Sequence, residues 1–236
     1  MFHTIFYEPL YNLLVITLNV VPLHDIGTAI IIVTCIVKGI LLPINLSTLR
    51  SQYLMKKFEP EMNKLKSIQK TNPSEYSQKV MELYKREKIN PFSGFLGMLI
   101  QIPIILALYF VFKNGLKADV NSLYSFISFP EKLHTIAFGL FDVTKRNIFI
   151  ALLAGVSSHT LAKRQTTSMV SKNENGEESF QDQFMKSMRI QLLYVLPIII
   201  VMTATALPSA LALYWFISNV IAYAQDVYIK RKLSHL

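Results

Sequence analysis

The sequence predicts an all-α, polytopic membrane protein with five transmembrane helices, an N-terminal interfacial helix and a cytoplasmic helical hairpin. Three observations carry this prediction. Hydrophobic residues make up 52% of the chain and charged ones only 17%, whereas a soluble domain sits nearer a quarter charged. The apolar residues are gathered into runs that approach the thickness of a bilayer. The formal charge of +9 falls between those runs, as in loops held on the cytoplasmic side. A nucleic-acid module would be basic without long apolar stretches, so no nucleic-acid substrate is expected.

Residues 1–24 carry Phe2, Ile5, Phe6, Leu10, Leu13, Leu14 and Val21, broken by Pro9 and Pro22. They read as an amphipathic helix lying in the membrane interface. The first span falls at 25–46, where Ile26 to Leu46 reaches roughly 31 Å as helix and contains one charge, Lys38. The second, at 91–113, is of the same length and holds no charge from Phe92 to Phe112. The third, at 147–162, reaches only about 24 Å between Lys145-Arg146 and Lys163-Arg164. A re-entrant or interfacial segment is the alternative there, although snorkelling basic residues and local thinning let a short helix span. The fourth and fifth spans, 190–207 and 209–228, flank a turn at Leu207-Pro208-Ser209. Residues 114–146 form an external loop, 163–189 a cytoplasmic loop and 229–236 a cytoplasmic tail.

Sidedness follows from the charges. Segment 47–91 has ten Lys or Arg against five acids, and the tail has Lys230-Arg231-Lys232. Segment 1–25 has no Lys or Arg. Five alternating spans put eighteen positive residues inside and five outside, hence an outside N-terminus and a cytoplasmic C-terminus. With neither a basic n-region nor an Arg-rich presequence at the start, a bacterial plasma membrane is expected rather than an organelle.

Segment 47–90 is patterned as a hairpin. Leu54, Phe58, Met62, Leu65 and Ile68 mark one helical stripe, and Tyr76, Val80, Leu83 and Tyr84 another. Thr71-Asn72-Pro73-Ser74 supplies the turn, with Ser74 expected to cap the second helix. Lys56, Lys57, Lys64, Lys66, Lys85 and Arg86 give it a basic exterior. That exterior suits either a docking arm for ribosomes, targeting factors and nascent chains or a paddle on anionic lipid headgroups.

Lys38 is the most informative residue, because a cation at mid-bilayer costs about 2.5–3.5 kcal/mol and normally faces protein or water. Thr34 lies one turn before it and Asn45 seven residues after it, which on a straight helix makes one polar stripe. Gln101, Ser157, Ser158, Tyr214, Trp215 and Asn219 add polar handles on other spans. Each serves equally as interhelical glue, and their spacing alone does not make them converge. No carboxylate occurs within a span core, and H-E-x-x-H, G-x-S-x-G and phosphate-cradling glycine loops are missing. The one cysteine, Cys35, offers neither a disulfide framework nor a metal cluster. The expectation is therefore a non-enzyme, with no catalytic residue and no metal ligand. Residue chemistry alone stops at a polytopic helical protein with a cationic intramembrane site. A small channel or carrier, or a membrane-embedded assembly chaperone, remains open.

Two long stretches go further by resemblance. LYKREKINPFSGFLGMLIQIPIILALY (Leu83 to Tyr109) and LPSALALYWFISNVIAYAQ (Leu207 to Gln225) resemble the signatures of the YidC insertases, and IIIVTCIVKGILLP (Ile30 to Pro43) is similar to their first core span. The resemblance covers essentially the whole chain in order and spacing. It implies a five-helix fold around a hydrophilic groove, open to cytoplasm and lipid and closed outside. It implies nascent membrane proteins as clients, with the ribosome, the signal recognition particle pathway, a Sec translocon and membrane lipids as expected partners. No nucleotide, metal or other cofactor is implied. Two positions depart from the family: Lys38 stands where it usually has Arg, and Gly97 where it often has Pro.

Overall fold

The computed structural model describes residues 1–69, 71–90, 93–113, 119, 121–166 and 180–233. Helix dominates. α1 (Glu8–Val20) is entered through a π-turn over His3–Tyr7. Together with Tyr7 of that turn, it buries Leu10, Tyr11, Leu14, Val15 and Leu18, which recur every three or four residues and so form one stripe. That stripe packs against α2 (Ile26–Ile40) and α6 (Ser93–Lys113).

Asp25 starts α2 by accepting a hydrogen bond from the Thr28 N–H at 2.6 Å. The run expected as one straight span bends by 63° between α2 and α3 (Leu42–Lys57). Pro43 in the first turn of α3 explains the break: it has no N–H to give, and its ring conflicts with the carbonyl four residues back. Below the bend, Leu49 of α3 packs with Ile229 and Leu233 of α10 (Ser209–Leu233).

The hairpin consists of α4 (Glu59–Gln69) and α5 (Pro73–Arg86). It is antiparallel, because Arg86 at the end of α5 holds Glu61 at the start of α4 with bonds of 2.8 and 3.0 Å. The cap of α5 is Asn72 rather than Ser74: the Asn72 side chain accepts from the Glu75 N–H at 3.2 Å. Proline at N1 fixes this register, since Pro73 needs no donor there and leaves the cap to the residue before it.

α7 (Ile148–Thr166) begins at Asn147, whose side chain accepts from the Phe149 and Ile150 N–H groups. α8 (Phe180–Ile190) runs through a π-turn over Gln191–Val195 into α9 (Leu196–Ala206). α10 packs on α7, α2 and α3, and α7 packs on α9. Within a bilayer, apolar burial does not favour helix pairing, so close contact between small residues must do so. Ala151 and Ala154 of α7, Ala204 of α9, and Ala210 and Ala212 of α10 are all fully buried. Gly155 is required at this seam, because a Cβ there would run into the Val201 side chain.

The segment between α6 and α7 carries a feature without a period to announce it, a two-stranded pair β1 (Ile136–Ala137) and β2 (Phe141–Asp142). Phe138 and Gly139 turn it with φ of 52° and 70°, the left-handed pair of a type I′ turn. β1 lies so close to α2 that a Cβ on Gly27 would collide with Ala137.

Outward faces of several helices are apolar. Leu152 and Val156 on α7, and Ile198, Ile199 and Met202 on α9, are exposed. A soluble monomer rarely presents contiguous surface of this kind, whereas hydrocarbon tails solvate it. Among the described residues, the 21-residue helix Lys186–Ala206 is long and apolar enough to cross a membrane, and the bent pair α2–α3 passes the same test together.

Candidate functional site

α2 brings Lys38 and Thr34 to one face, four residues apart. Lys38 is only 8% exposed and Thr34 is fully buried. The Thr34 hydroxyl donates back to the Ile30 carbonyl at 2.6 Å, which satisfies it within its own helix. Lys38 has no such relief, with no hydrogen-bond or ionic partner among the described residues. Arg189 Nε is the one sealed, unpaired side-chain nitrogen or oxygen among them, so the Lys38 ammonium is not shut away from solvent. A cation in this position keeps its charge only if water reaches it.

A small cavity lies beside this face, lined by Thr34, Leu14, Leu108, Phe112 and Tyr214. Gln101 of α6 donates to the Tyr214 hydroxyl of α10 at 2.7 Å. Thr34, Tyr214 and Gln101 thus belong to one constellation between α2, α6 and α10, with Lys38 one turn further along.

The other residues singled out in the sequence lie elsewhere. Asn219 donates to the Ser157 hydroxyl at 3.0 Å across the α7–α10 seam. Ser158 is buried in α7, and Trp215 packs partly buried against the core. The bend after α2 takes Asn45 off the Lys38 face; its amide reaches Gln225 of α10 at 3.5 Å. On the hairpin, Lys56, Lys57, Lys64 and Lys85 are exposed, while the Lys66 side chain lies outside the described residues. Arg86 is committed to Glu61 and Glu87, and the Glu61 carboxylate holds its guanidinium above the usual range.

Asp226, near the basic C-terminal end of α10, is a further charged residue of the site. It is 3% exposed, and its Oδ2 accepts from Arg164 of α7 at 2.8 Å and from Lys230 at 3.0 Å. The available signal was the i,i+4 spacing of Asp226 and Lys230 on a helix.

The α1 end of the bundle is held by cross-bonds to Asp119, Ser122 and Tyr124. Asn12 of α1 donates to the Ser122 carbonyl at 2.7 Å and accepts from the Tyr124 N–H at 2.8 Å. The Ser122 and Tyr7 hydroxyls both donate to Asp119 Oδ2, at 2.7 and 3.2 Å. The turn between α9 and α10 is pinned by the Ser209 and Ala210 N–H groups, which donate to the Lys145 and Val143 carbonyls.

A helical bundle with apolar outer faces, and with a buried lysine that has no partner among the described residues, fits a membrane protein. A family model described as "60Kd inner membrane protein" matches residues 18–235, and the chain belongs to that family. It is 32% identical over 209 residues to a Fusobacterium nucleatum protein named membrane protein insertase YidC, covering 88% of this chain and 87% of that one. A Clostridium tetani protein of the same name is 31% identical over 212 residues, 89% of this chain and 84% of the relative. Against the Magnetococcus marinus protein of that name, the match is 28% identical over 97% of this chain but only 36% of the relative.

Proposed function

We propose that this chain is a membrane protein insertase, which moves nascent membrane proteins into the bilayer through a cationic hydrophilic groove. The observation that carries the groove is Lys38, a buried ammonium inside an apolar bundle with no partner among the described residues. Five spans enclose the groove: α2 with its bend, α6, α7, the continuous α8–α9 helix and α10. The N-terminus lies outside a bacterial plasma membrane, and α4–α5 and the C-terminus lie in the cytoplasm.

The mechanism is physical rather than covalent. A polar tail or loop of a client pays heavily to cross roughly 30 Å of hydrocarbon. Water and fixed dipoles around Lys38, Thr34, Gln101 and Tyr214 replace part of that path with a polar one, shortening the barrier. The ammonium attracts acidic tails electrostatically, and lysine does so as a compact charge without the bidentate fork of arginine. The cross-bonds among α1, Asp119, Ser122, Tyr124 and the α9–α10 turn favour closure on the outer side, so entry is from the cytoplasm. Basic side chains of α4–α5 would receive clients from the ribosome, the signal recognition particle pathway or a Sec translocon.

Reconstitution into liposomes tests this reading. The chain is expected to move a single-span client into the bilayer without a steady ion conductance. Conductance without insertion would instead identify a channel or carrier.

A further inference from the structure

We infer that the cytoplasmic junction of α3, α7 and α10 holds a binding site for the phosphodiester of an anionic phospholipid headgroup. The site is a cleft walled by Gln52 and Lys56 of α3, Arg164 of α7, and Asp226 and Lys230 of α10. It lies away from Lys38, and it rests on the membrane orientation proposed above but not on the groove.

Charge is the first reason. Arg164 and Lys230 share Asp226 Oδ2, and Lys230 Nζ also donates to the Arg164 carbonyl at 3.2 Å. Lys56 is exposed and has no carboxylate partner among the described residues. Three cations around one carboxylate leave a surplus positive charge, so a singly charged phosphodiester brings the cleft closer to neutrality. Two cations already neutralise Asp226, which therefore does not repel the incoming anion strongly.

Geometry is the second. Arg164 spends Nε on Asp226 and Nη1 on the Tyr223 hydroxyl at 3.4 Å, and its guanidinium stacks over the Tyr223 ring at 4.8 Å. The plane is fixed by these contacts, and Nη2 remains without a partner among the described residues. A pre-oriented guanidinium with a free donor beside two lysines suits phosphate oxygens.

Level in the membrane chooses the source. Val156 of α7 and Val220 of α10 present exposed apolar surface one to two turns before the cleft. The basic ends Lys163-Arg164 and Lys230-Arg231-Lys232 follow, with Tyr223 and Tyr228 exposed alongside. Apolar face, then aromatic rings, then cations is the order of an interface. A headgroup anchored by its acyl chains arrives at this depth, and basic pockets between helices on the cytoplasmic side recognise such groups.

The full chain in nanodiscs of phosphatidylcholine, with and without phosphatidylglycerol, supplies the test. Association of spin-labelled phosphatidylglycerol is expected to exceed that of spin-labelled phosphatidylcholine. Lys56→Gln should weaken it roughly fivefold, and Lys230→Gln should also weaken it. Lys56 is exposed and has no partner to lose among the described residues, so its variant should fold as the parent does. Lys132→Gln removes the same charge from the exposed segment between α6 and α7, at the opposite end of the bundle, and should leave association unchanged. Equal association of the two lipids, or equal losses in Lys56→Gln and Lys132→Gln, would overturn the proposal. So would displacement of the labelled lipid by inorganic phosphate or by a short RNA, which would assign the cleft to a soluble anion. Insertion is not read in this assay, so its outcome stands apart from that of the insertase reading.

Discussion

Lys38 shows what a single side chain can report. Its position within an apolar run is plain in the sequence, and so is Thr34 one turn away. The structure adds that the ammonium has no partner among the described residues and that Gln101 and Tyr214 are bonded to each other near the same face. That bond joins residues 113 positions apart, and no local period could reveal it. Lys38→Met keeps the length and apolar bulk of the side chain and removes only the charge. Insertion in liposomes should fall with this variant, most for clients with acidic tails, while Lys38→Arg keeps or raises it. Unchanged insertion of every client by Lys38→Met would mean that the lysine merely snorkels to a headgroup. A second residue-scale expectation concerns Asp119. The Ser122 hydroxyl foremost, with Tyr7, holds its carboxyl below the usual aspartate range. A depressed folded-state value stabilises the tether above the ordinary aspartate pKa and loses that contribution as pH falls through the folded one. The thermal midpoint should therefore drop on acidification below about pH 4, and Asp119→Asn should flatten that part of the profile. An identical profile in the variant would remove Asp119 from the tether.

Among the elements, the hairpin was the most legible, because its two stripes follow the 3.6-residue period. Its cap was misread by two residues for a stereochemical reason, the occupation of N1 by Pro73. The bend at Leu41 was equally available in Pro43, but a long apolar run reads as one straight helix until that proline is weighed. The β1–β2 pair is too short to show any alternation, and Phe138-Gly139 was its only mark. The packing also divides segment 47–90 into two parts. α3 is tied to the bundle through Leu49, and through the Tyr53 hydroxyl that donates to the Leu233 carbonyl at 3.3 Å. α4 and α5 pack mainly on each other, closed by Arg86 and Glu61. Replacing residues 59–86 with a short Gly/Ser linker should leave the thermal midpoint of the bundle nearly unchanged and abolish client insertion. Full insertion by the shortened chain would make the hairpin dispensable.

For the whole molecule, charge asymmetry and apolar runs set the plan, and the long-range bonds complete it. The α1 end of the bundle is cross-linked by Asn12, Asp119 and Ser209, whereas the opposite end is rich in cations around Asp226. That asymmetry fits a bundle entered from one side, with its polar residues reachable by a client tail before the tail has crossed. Such a tail is expected to visit Lys38 on its way across. A photo-crosslinking residue placed at position 38, and separately at position 156 on the outward face of α7, would be tested against a client stalled during insertion. Crosslinks are expected from position 38 to the polar tail of the client, and none from position 156 to that tail. Tail crosslinks from position 156 with none from position 38 would contradict it.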